Sequence, residues 1–481
     1  MKSLIFTKTM KHLSLRNCIL ISLVVYVLVV IFNTGFIATD EYWDGITRYL
    51  PAQKATVATL IKPDDVKTPL QILPMHMAAQ LAYKLGIEAP FNQYHFVIIF
   101  WGLVGFALSA WAAVMLFRNR SENLTKIAVL LLAFHFAAPG LLTRPMFEAL
   151  SAPWIALSCA FAVLYDEKKN WRDLLFGVFC ASMAFTLRQQ TGFCALVFMI
   201  LPLMHKQWKH FLIAGVAGLG FFVLSGVPDI FLRGSFHHSL RALAEYNFKH
   251  GADYGSRPWY FFFPLIFVFM LIPWLIAKYP QGFMKDYFRR YRSLFIILAL
   301  FLVLHSMFAN KFERFLISMI PVMIFLMTPF VTYFVENWQQ RKARLISMAA
   351  LNFVLWVPAS FFPAQKNITD LARYMDSHPQ YTYIVSVDLT IEWIPDAFMR
   401  NAYYNVSHVY TKDFVKLNLN KTCDFVIALN EKAYETNKDF LAANYTFLEK
   451  FDVNVIESIA YKFNPENNVR RSPLWIYGCK Q

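Results

Sequence analysis

Charge is scarce in this chain: Asp, Glu, Lys and Arg make up 16% of its 481 residues, where a soluble globular domain has about 25%. That excludes an ordinary water-soluble protein. Six cysteines are too few for a disulfide-built scaffold. No Cys or His spacing resembles a zinc site, since pairs such as His237 and His238 are adjacent and point apart. Also lacking are an Asp-x-Asp on a polar loop to hold a metal and a nucleotide diphosphate, a phosphate loop, and a Gly-x-Ser-x-Gly elbow. A soluble nucleotide-sugar donor is therefore disfavoured. Internal repeats and low-complexity tracts are absent as well.

What the chain has in excess is apolar surface: 57% of its residues are hydrophobic and 17% aromatic, with a mean hydropathy of +0.40. Apolar windows of 17 to 25 residues place membrane spans at 17–37, 93–117, 126–142, 147–165, 171–187, 191–204, 210–231, 258–277, 293–309, 315–334 and 343–362, about eleven in all. The weakest are 126–142 and 191–204, which re-entrant segments also explain. The first run, Cys18 to Phe36, follows Lys2, Lys8, Lys11 and Arg16 but lacks a small-x-small cleavage pattern, which favours a retained span over a signal peptide.

The formal net charge of +15 comes in short clusters between spans: Arg118, Arg120 and Lys126; Lys168, Lys169 and Arg172; Lys206 and Lys209; Lys278, Lys285, Arg289, Arg290 and Arg292; Arg341, Lys342 and Arg344. Every second loop is basic, the pattern of cytoplasmic loops rather than of a nucleic-acid-binding face. With those loops inside, residues 38–92, 143–146, 188–190, 232–257 and 310–314, and everything after about 363, lie on the outer side. The first outer loop contains Pro69 to Gly86, whose apolar residues recur as in an amphipathic helix lying on a membrane.

After about residue 363 the chain changes character. YTYIVSVDLTIEW and CDFVIALN read as buried strands between Asn-rich and Lys-rich connectors, predicting a small α/β domain outside the membrane. Cys423 and Cys479 fall there and can pair if that side is oxidising, whereas Cys18, Cys159, Cys180 and Cys194 fall in apolar spans as small hydrophobes. Asn-x-Ser/Thr sequons begin at Asn367, Asn405, Asn420 and Asn444.

The residues that carry chemistry cluster on the predicted outer side. Asp40 and Glu41, with Asp44, follow the first span directly. An acidic pair there is expensive to hold in partial burial; either it caps a helix and is solvated, or a carboxylate takes a proton from an attacking hydroxyl. Arg144 and Glu148 sit four apart, as an ion pair or with the arginine reaching a phosphate. Arg188, between two apolar runs, invites the same alternatives. The loop holding Tyr254, Gly255 and Trp259 runs into an aromatic-rich span, an interfacial belt or a shaped loop. Lys311, Glu313 and Arg314 fill a loop so short that their charges lie at span ends, where two cations could bind a lipid-linked phosphate.

Taken in order, these stretches resemble the signatures of glycosyltransferase family 22, the GPI-anchor and dolichol-pathway mannosyltransferases of the GT-C superfamily. Asp40, Glu41 and Tyr42 match its His-Pro-Asp-Glu-aromatic loop, without the His-Pro. Arg144, Glu148, Ser151 and Pro153 are similar to its Arg-x-x-x-Glu-x-x-Ser-x-Pro stretch. Tyr254, Gly255, Pro258, Trp259 and Tyr260 reproduce Tyr-Gly-x-x-Pro-Trp-Tyr, and Asn310, Lys311, Phe312, Glu313, Arg314 and Phe315 resemble a His-Lys-Glu-x-Arg-Phe box whose histidine and glutamate positions are changed. The resemblance covers roughly residues 17 to 335 and leaves the outer C-terminal region unexplained.

The resemblance implies a polytopic α-helical membrane protein: a GT-C-like bundle over residues 1–362 with a periplasmic or lumenal α/β domain over 363–481. It implies an enzyme that moves a sugar, mannose in the studied members, from a polyprenyl-phosphate donor to a glycan or glycolipid acceptor, with inversion and neither metal nor other cofactor. Asp40 would be the base and Glu41 its support. Arg144, Arg188, Lys311 and Arg314 would serve the donor phosphate, with Glu148, Tyr254, Trp259 and Glu313 lining the substrate site. The membrane would be the bacterial inner membrane or the endoplasmic reticulum. The alternative from another class is a transporter or flippase of a lipid-linked glycan, for which many spans and intramembrane charges are equally natural, although the halves show no symmetry.

Overall fold

The computed structural model describes residues 13–38, 40–50, 66–251, 253, 255–389, 396–399, 405–415, 423–466 and 468–480. Tyr254 and the sequon at Asn420 lie outside the described residues. The chain forms two compact units, one of 1–30, 61–74 and 99–361, the other of 31–60, 75–98 and 362–481.

Helix dominates the first part of the chain: α1 (Leu15–Phe32), α2 (Pro69–Lys84), α3 (Pro90–Phe117), α4 (Glu122–Phe134), α5 (Phe147–Lys168), α6 (Trp171–Leu187), α7 (Phe193–Met204), α8 (Trp208–Arg233), α9 (His238–His250), α10 (Phe262–Phe269), α11 (Phe283–Arg290), α12 (Arg292–Met307), α13 (Ile320–Glu336) and α14 (Trp338–Phe361). Every expected span overlaps helix, but the expected number does not emerge. Among the described residues six helical stretches are long and apolar enough to cross a membrane, or seven if α11 and α12, bent by 67°, form one broken span. The difference is one of length. A crossing helix needs about 20 residues, and α4, α6, α7 and α12 have 13, 17, 12 and 16. The window 258–277 is cut at Leu271, whose left-handed backbone separates α10 from a single further turn.

Within the larger unit α5 and α13 are central, with most of their positions buried. The sequence of α5 explains this: Ala, Ser and Cys alternate with larger side chains along FEALSAPWIALSCAFAVLY, so neighbouring backbones approach closely without hydrophobic driving force. By contrast α8 exposes Val216, Leu219, Leu224 and Phe231, a face suited to lipid.

One polar knot ties helix ends together. Asp166, near the end of α5, accepts two hydrogen bonds from Arg292 at the start of α12, at 2.7 and 2.6 Å. His205, just after α7, lies 2.6 Å from the same carboxylate. Removing one partner of a buried pair leaves the others uncompensated. Asp166→Ala is therefore expected to lower stability by about 3 kcal/mol, at the low end because Arg292 is partly exposed. Thermal unfolding of detergent-solubilised protein checks this; an unchanged midpoint would mean that the knot contributes nothing.

In the second unit, helix α15 (Lys366–Ser377) precedes β1 (Tyr383–Val387), β2 (Asn405–Val409), β3 (Phe425–Asn430), α16 (Glu431–Asn444), β4 (Tyr445–Phe451), α17 (Val455–Phe463) and β5 (Leu474–Cys479). The sheet order is β2-β1-β3-β5-β4, with β1 parallel to β2 and β3, and β5 antiparallel to β3 and β4. β3 is buried at every position, as its unbroken apolar run requires of a strand covered on both faces. Edge strand β4 carries Glu449 and Lys450 and is largely open to solvent. Cys423 and Cys479 are joined by a disulfide, and the other four cysteines are free and buried. Asn367 is fully buried and donates to the Arg470 and Ser472 carbonyls, so that sequon cannot take a glycan.

Candidate active site

The acidic segment belongs to the second unit. Glu41 to Ile46 form a π-helical turn, with Asp40 at its N-cap and one α-helical turn, Thr47–Tyr49, behind it. Such wide turns are rare and recur at functional sites. The two acids meet opposite environments. Glu41 is only 4% exposed. Its Oε2 accepts from the Ile37 N–H at 2.9 Å, and its Oε1 lies 3.1 Å from the Tyr94 hydroxyl, which also reaches the Gly35 carbonyl at 2.9 Å. Asp40, one residue earlier, is exposed. Asp44 faces Arg48 at 3.8 Å, one turn on.

Tyr42, the aromatic that follows the acid pair, is buried and donates to Asp396 Oδ1 at 2.5 Å. Burial, and then the Asp396 charge, push the Tyr42 phenol well above its ordinary range, so it remains a donor at any physiological pH. Burial and the Glu41 charge do the same to Tyr49. Gly35 enters this segment against the chain at Ala364, where a Cβ would fall 1.7 Å from the Ala364 carbonyl oxygen. Only glycine fits there.

The candidate phosphate ligands belong to the first unit. Glu148 lies in the first turn of α5, with the buried Arg144 (2% exposed) three residues before that helix. Because α5 begins at Phe147, two residues after Pro145, Arg144 and Glu148 are not stacked one helical turn apart as their spacing suggested. Glu148 instead pairs with Arg188 at 2.6 Å, while Arg314 approaches the same oxygen at 3.7 Å. The Arg188 guanidinium covers the Phe315 ring, and Arg314 covers Phe312 and Phe315. Two guanidiniums thus converge on one largely buried carboxylate, where a planar donor fork is also suited to an anion. Ser151 and Ser318 both donate to the Glu148 carbonyl, at 2.9 and 3.3 Å, and so register α5 against the segment carrying Arg314.

The two later motifs are joined. The Arg257 N–H donates to the Ala309 carbonyl at 3.0 Å. The Lys311 ammonium donates to the Arg257 carbonyl at 3.1 Å and to that of Phe308. Burial lowers the Lys311 pKa. Lys311 is thus placed as a clasp between loops. Glu313 is exposed where its 3-10 turn begins, and Trp259 is 67% exposed beside Tyr260 and Phe263, the setting of an interfacial anchor. Residues that pattern reading missed are Tyr94, Asp396 and Phe398 around the acid segment; their only sequence signal is aromatic or acidic identity, with no spacing to connect them.

The chain is mostly helical, with several stretches long and apolar enough to cross a membrane, and it carries the acid pair in one unit and the arginine-rich ion cluster in the other. Residues 66–414 match the profile of the Alg9-like mannosyltransferase family, glycosyltransferase family 22, and the chain belongs to that family: it is a mannosyltransferase-like glycosyltransferase. The match runs through β2, beyond the resemblance read from motifs, and begins after the acid segment. No curated protein sequence matches. Among solved structures the chain is similar to ArnT from Cupriavidus metallidurans, with a TM-score of 0.56 and 14% identity for the apo form, over 96% of this chain and 97% of that one. The form bound to undecaprenyl phosphate gives 0.51 and 12% over the same shares. The Archaeoglobus fulgidus oligosaccharyltransferase gives 0.49 and 12%, over 90% of this chain and 72% of that one. At these identities the ArnT likeness establishes the fold alone.

Proposed function

We propose that the protein transfers a hexose, mannose by its family, from a polyprenyl-phosphate-linked donor to a glycan or glycolipid acceptor, with inversion at the anomeric carbon. The observation that carries this reading is the unequal setting of the acid pair: one carboxylate buried and held by hydrogen bonds, its neighbour exposed at the N-cap of a π-helical turn. The first is a fixed support, the second a base open to a substrate. In the step, the acceptor hydroxyl oxygen bonds to the anomeric carbon as the carbon–phosphate-oxygen bond breaks. The hydroxyl proton goes to Asp40, and the polyprenyl phosphate leaves as an anion.

Arg188 and Arg314, beside Glu148, receive that phosphate and stabilise the negative charge as it develops, a task that preorganised cations perform without help from a metal. The planar fork of Arg144 is a further donor for it. Solved ArnT with undecaprenyl phosphate shows a protein of this fold holding such a carrier. The basic alternate loops and the Cys423–Cys479 disulfide favour a reaction on the oxidising, periplasmic side of a bacterial inner membrane.

Incubating purified protein with labelled polyprenyl-phosphate-mannose and an acceptor extract tests the reading. The expected result is release of polyprenyl phosphate with label on the acceptor. Consumption of no polyprenyl-phosphate hexose, together with carrier-bound translocation of label in vesicles, would replace the transferase by a flippase.

A further inference from the structure

The C-terminal sheet has no part in the reaction written above, yet it reaches the acid segment within its own unit. The connection from β1 to β2 leaves the sheet at a firm point: the Leu389 carbonyl accepts from Ser386 at 2.7 Å and lies 2.7 Å from His408 Nδ1, and Asn430 Nδ2 donates to the Asp388 carbonyl at 3.0 Å. This is the carboxyl end of β1, between β2 and β3, where open α/β sheets carry their functional loops. The same connection then forms a single 3-10 turn, Asp396–Phe398.

That turn holds both sides of Glu41–Tyr42. Asp396 Oδ1 accepts from the Tyr42 hydroxyl at 2.5 Å, and the Ala397 N–H lies 3.0 Å from the same hydroxyl oxygen and 2.8 Å from the Asp396 carboxylate. Phe398, fully buried, packs between the rings of Tyr94 and Phe91, at 5.0 and 5.3 Å, and those of Tyr42 and Phe36, at 5.8 and 6.1 Å. Tyr94 is the residue whose hydroxyl faces Glu41. A six-residue π-helical turn with no side-chain cap at its N-terminus has little intrinsic preference for that shape and needs support from outside. A charge-assisted hydrogen bond is the strongest form such support takes.

We infer that the Asp396–Phe398 turn is a positioning element for the catalytic base, and that Asp396 acts through Tyr42 to aim Asp40 at the acceptor hydroxyl. The inference rests on the proposed transferase reading. It makes the Asp396–Phe398 turn part of the catalytic apparatus without contact to sugar or phosphate.

Full-length protein in nanodiscs is compared as wild type, Tyr42→Phe, Asp396→Ala, the double variant and Asp396→Asn. Two readouts are taken: turnover with polyprenyl-phosphate-mannose, and hydrogen exchange of the amides of residues 41–49. Misplacing a catalytic group by about 1 Å lowers a rate on the order of 10²-fold. Tyr42→Phe and Asp396→Ala are therefore each expected to lower kcat by about 10- to 100-fold, with the donor KM changed less than about 3-fold. The double variant should be no worse than the worse single one, and Asp396→Asn, which keeps an acceptor oxygen, should recover most of the rate. Exchange at 41–49 should quicken in the Ala and Phe variants while the spanning helices stay protected. Unchanged exchange with kcat near wild type, or fully additive losses, would overturn the inference. If the wild type transfers no polyprenyl-phosphate hexose, the transferase reading falls and the positioning of the base with it; the exchange data then report only on packing.

Discussion

Asp40→Asn is expected to abolish sugar transfer without loss of expression or thermal stability. Asparagine has the shape of the carboxylate but cannot take the acceptor proton, and a positioned base contributes about 10²- to 10⁴-fold. Because Asp40 is exposed, its replacement by the isosteric asparagine should cost little folding energy. The loss should therefore appear in kcat, with the donor KM nearly unchanged. Glu41→Gln makes the contrast. It removes the charge that strengthens the bonds from the Ile37 N–H and the Tyr94 hydroxyl, so that variant should lose stability together with rate. Measured turnover for Asp40→Asn within threefold of wild type would remove Asp40 as the base.

Glu148→Gln is expected to lower stability by about 3 to 5 kcal/mol, because it deprives two guanidiniums of the carboxylate they share in a buried setting. The same change removes a negative charge from beside the cations that the proposal assigns to the donor phosphate. Added polyprenyl phosphate should accordingly restore much of the lost thermal midpoint, more in the variant than in wild type, since binding stabilises the folded state by mass action. Arg188→Met in the Glu148→Gln background removes one of the two repelling charges and should recover stability without the lipid, while abolishing the lipid's effect. A midpoint that falls but does not respond to polyprenyl phosphate would leave a purely structural ion cluster.

The helices were legible because apolar runs report their own burial: each of the eleven windows overlaps helix, and the tracts IVSV and FVIALN form strands β1 and β3. Which helices are long enough to cross was not legible, since it depends on breaks such as the left-handed Leu271 that no hydropathy window detects. Within the site, the types of residue were readable and their partners were not. Spacing suggested Arg144 for Glu148; the late start of α5 and the approach of two distant loops gave it Arg188 and Arg314 instead. Asp40 and Glu41 look alike in sequence; burial, with the Tyr94 hydroxyl and the Ile37 amide against Glu41, sets them apart. Asp396, 354 positions from Tyr42, carries no local sign of its task.

The sheet order has a bearing on how such an enzyme is made. β5, the latest of the five strands in chain order, lies between β3 and β4. Until it has been synthesised, β4 has no strand to pair with and β3 lacks one neighbour. The unit that holds the acid segment also takes in stretches far earlier in the chain, such as 75–98. Its closure is therefore long-range, of the kind that slows folding. The acid segment gains its complete unit only once the last strand has been made.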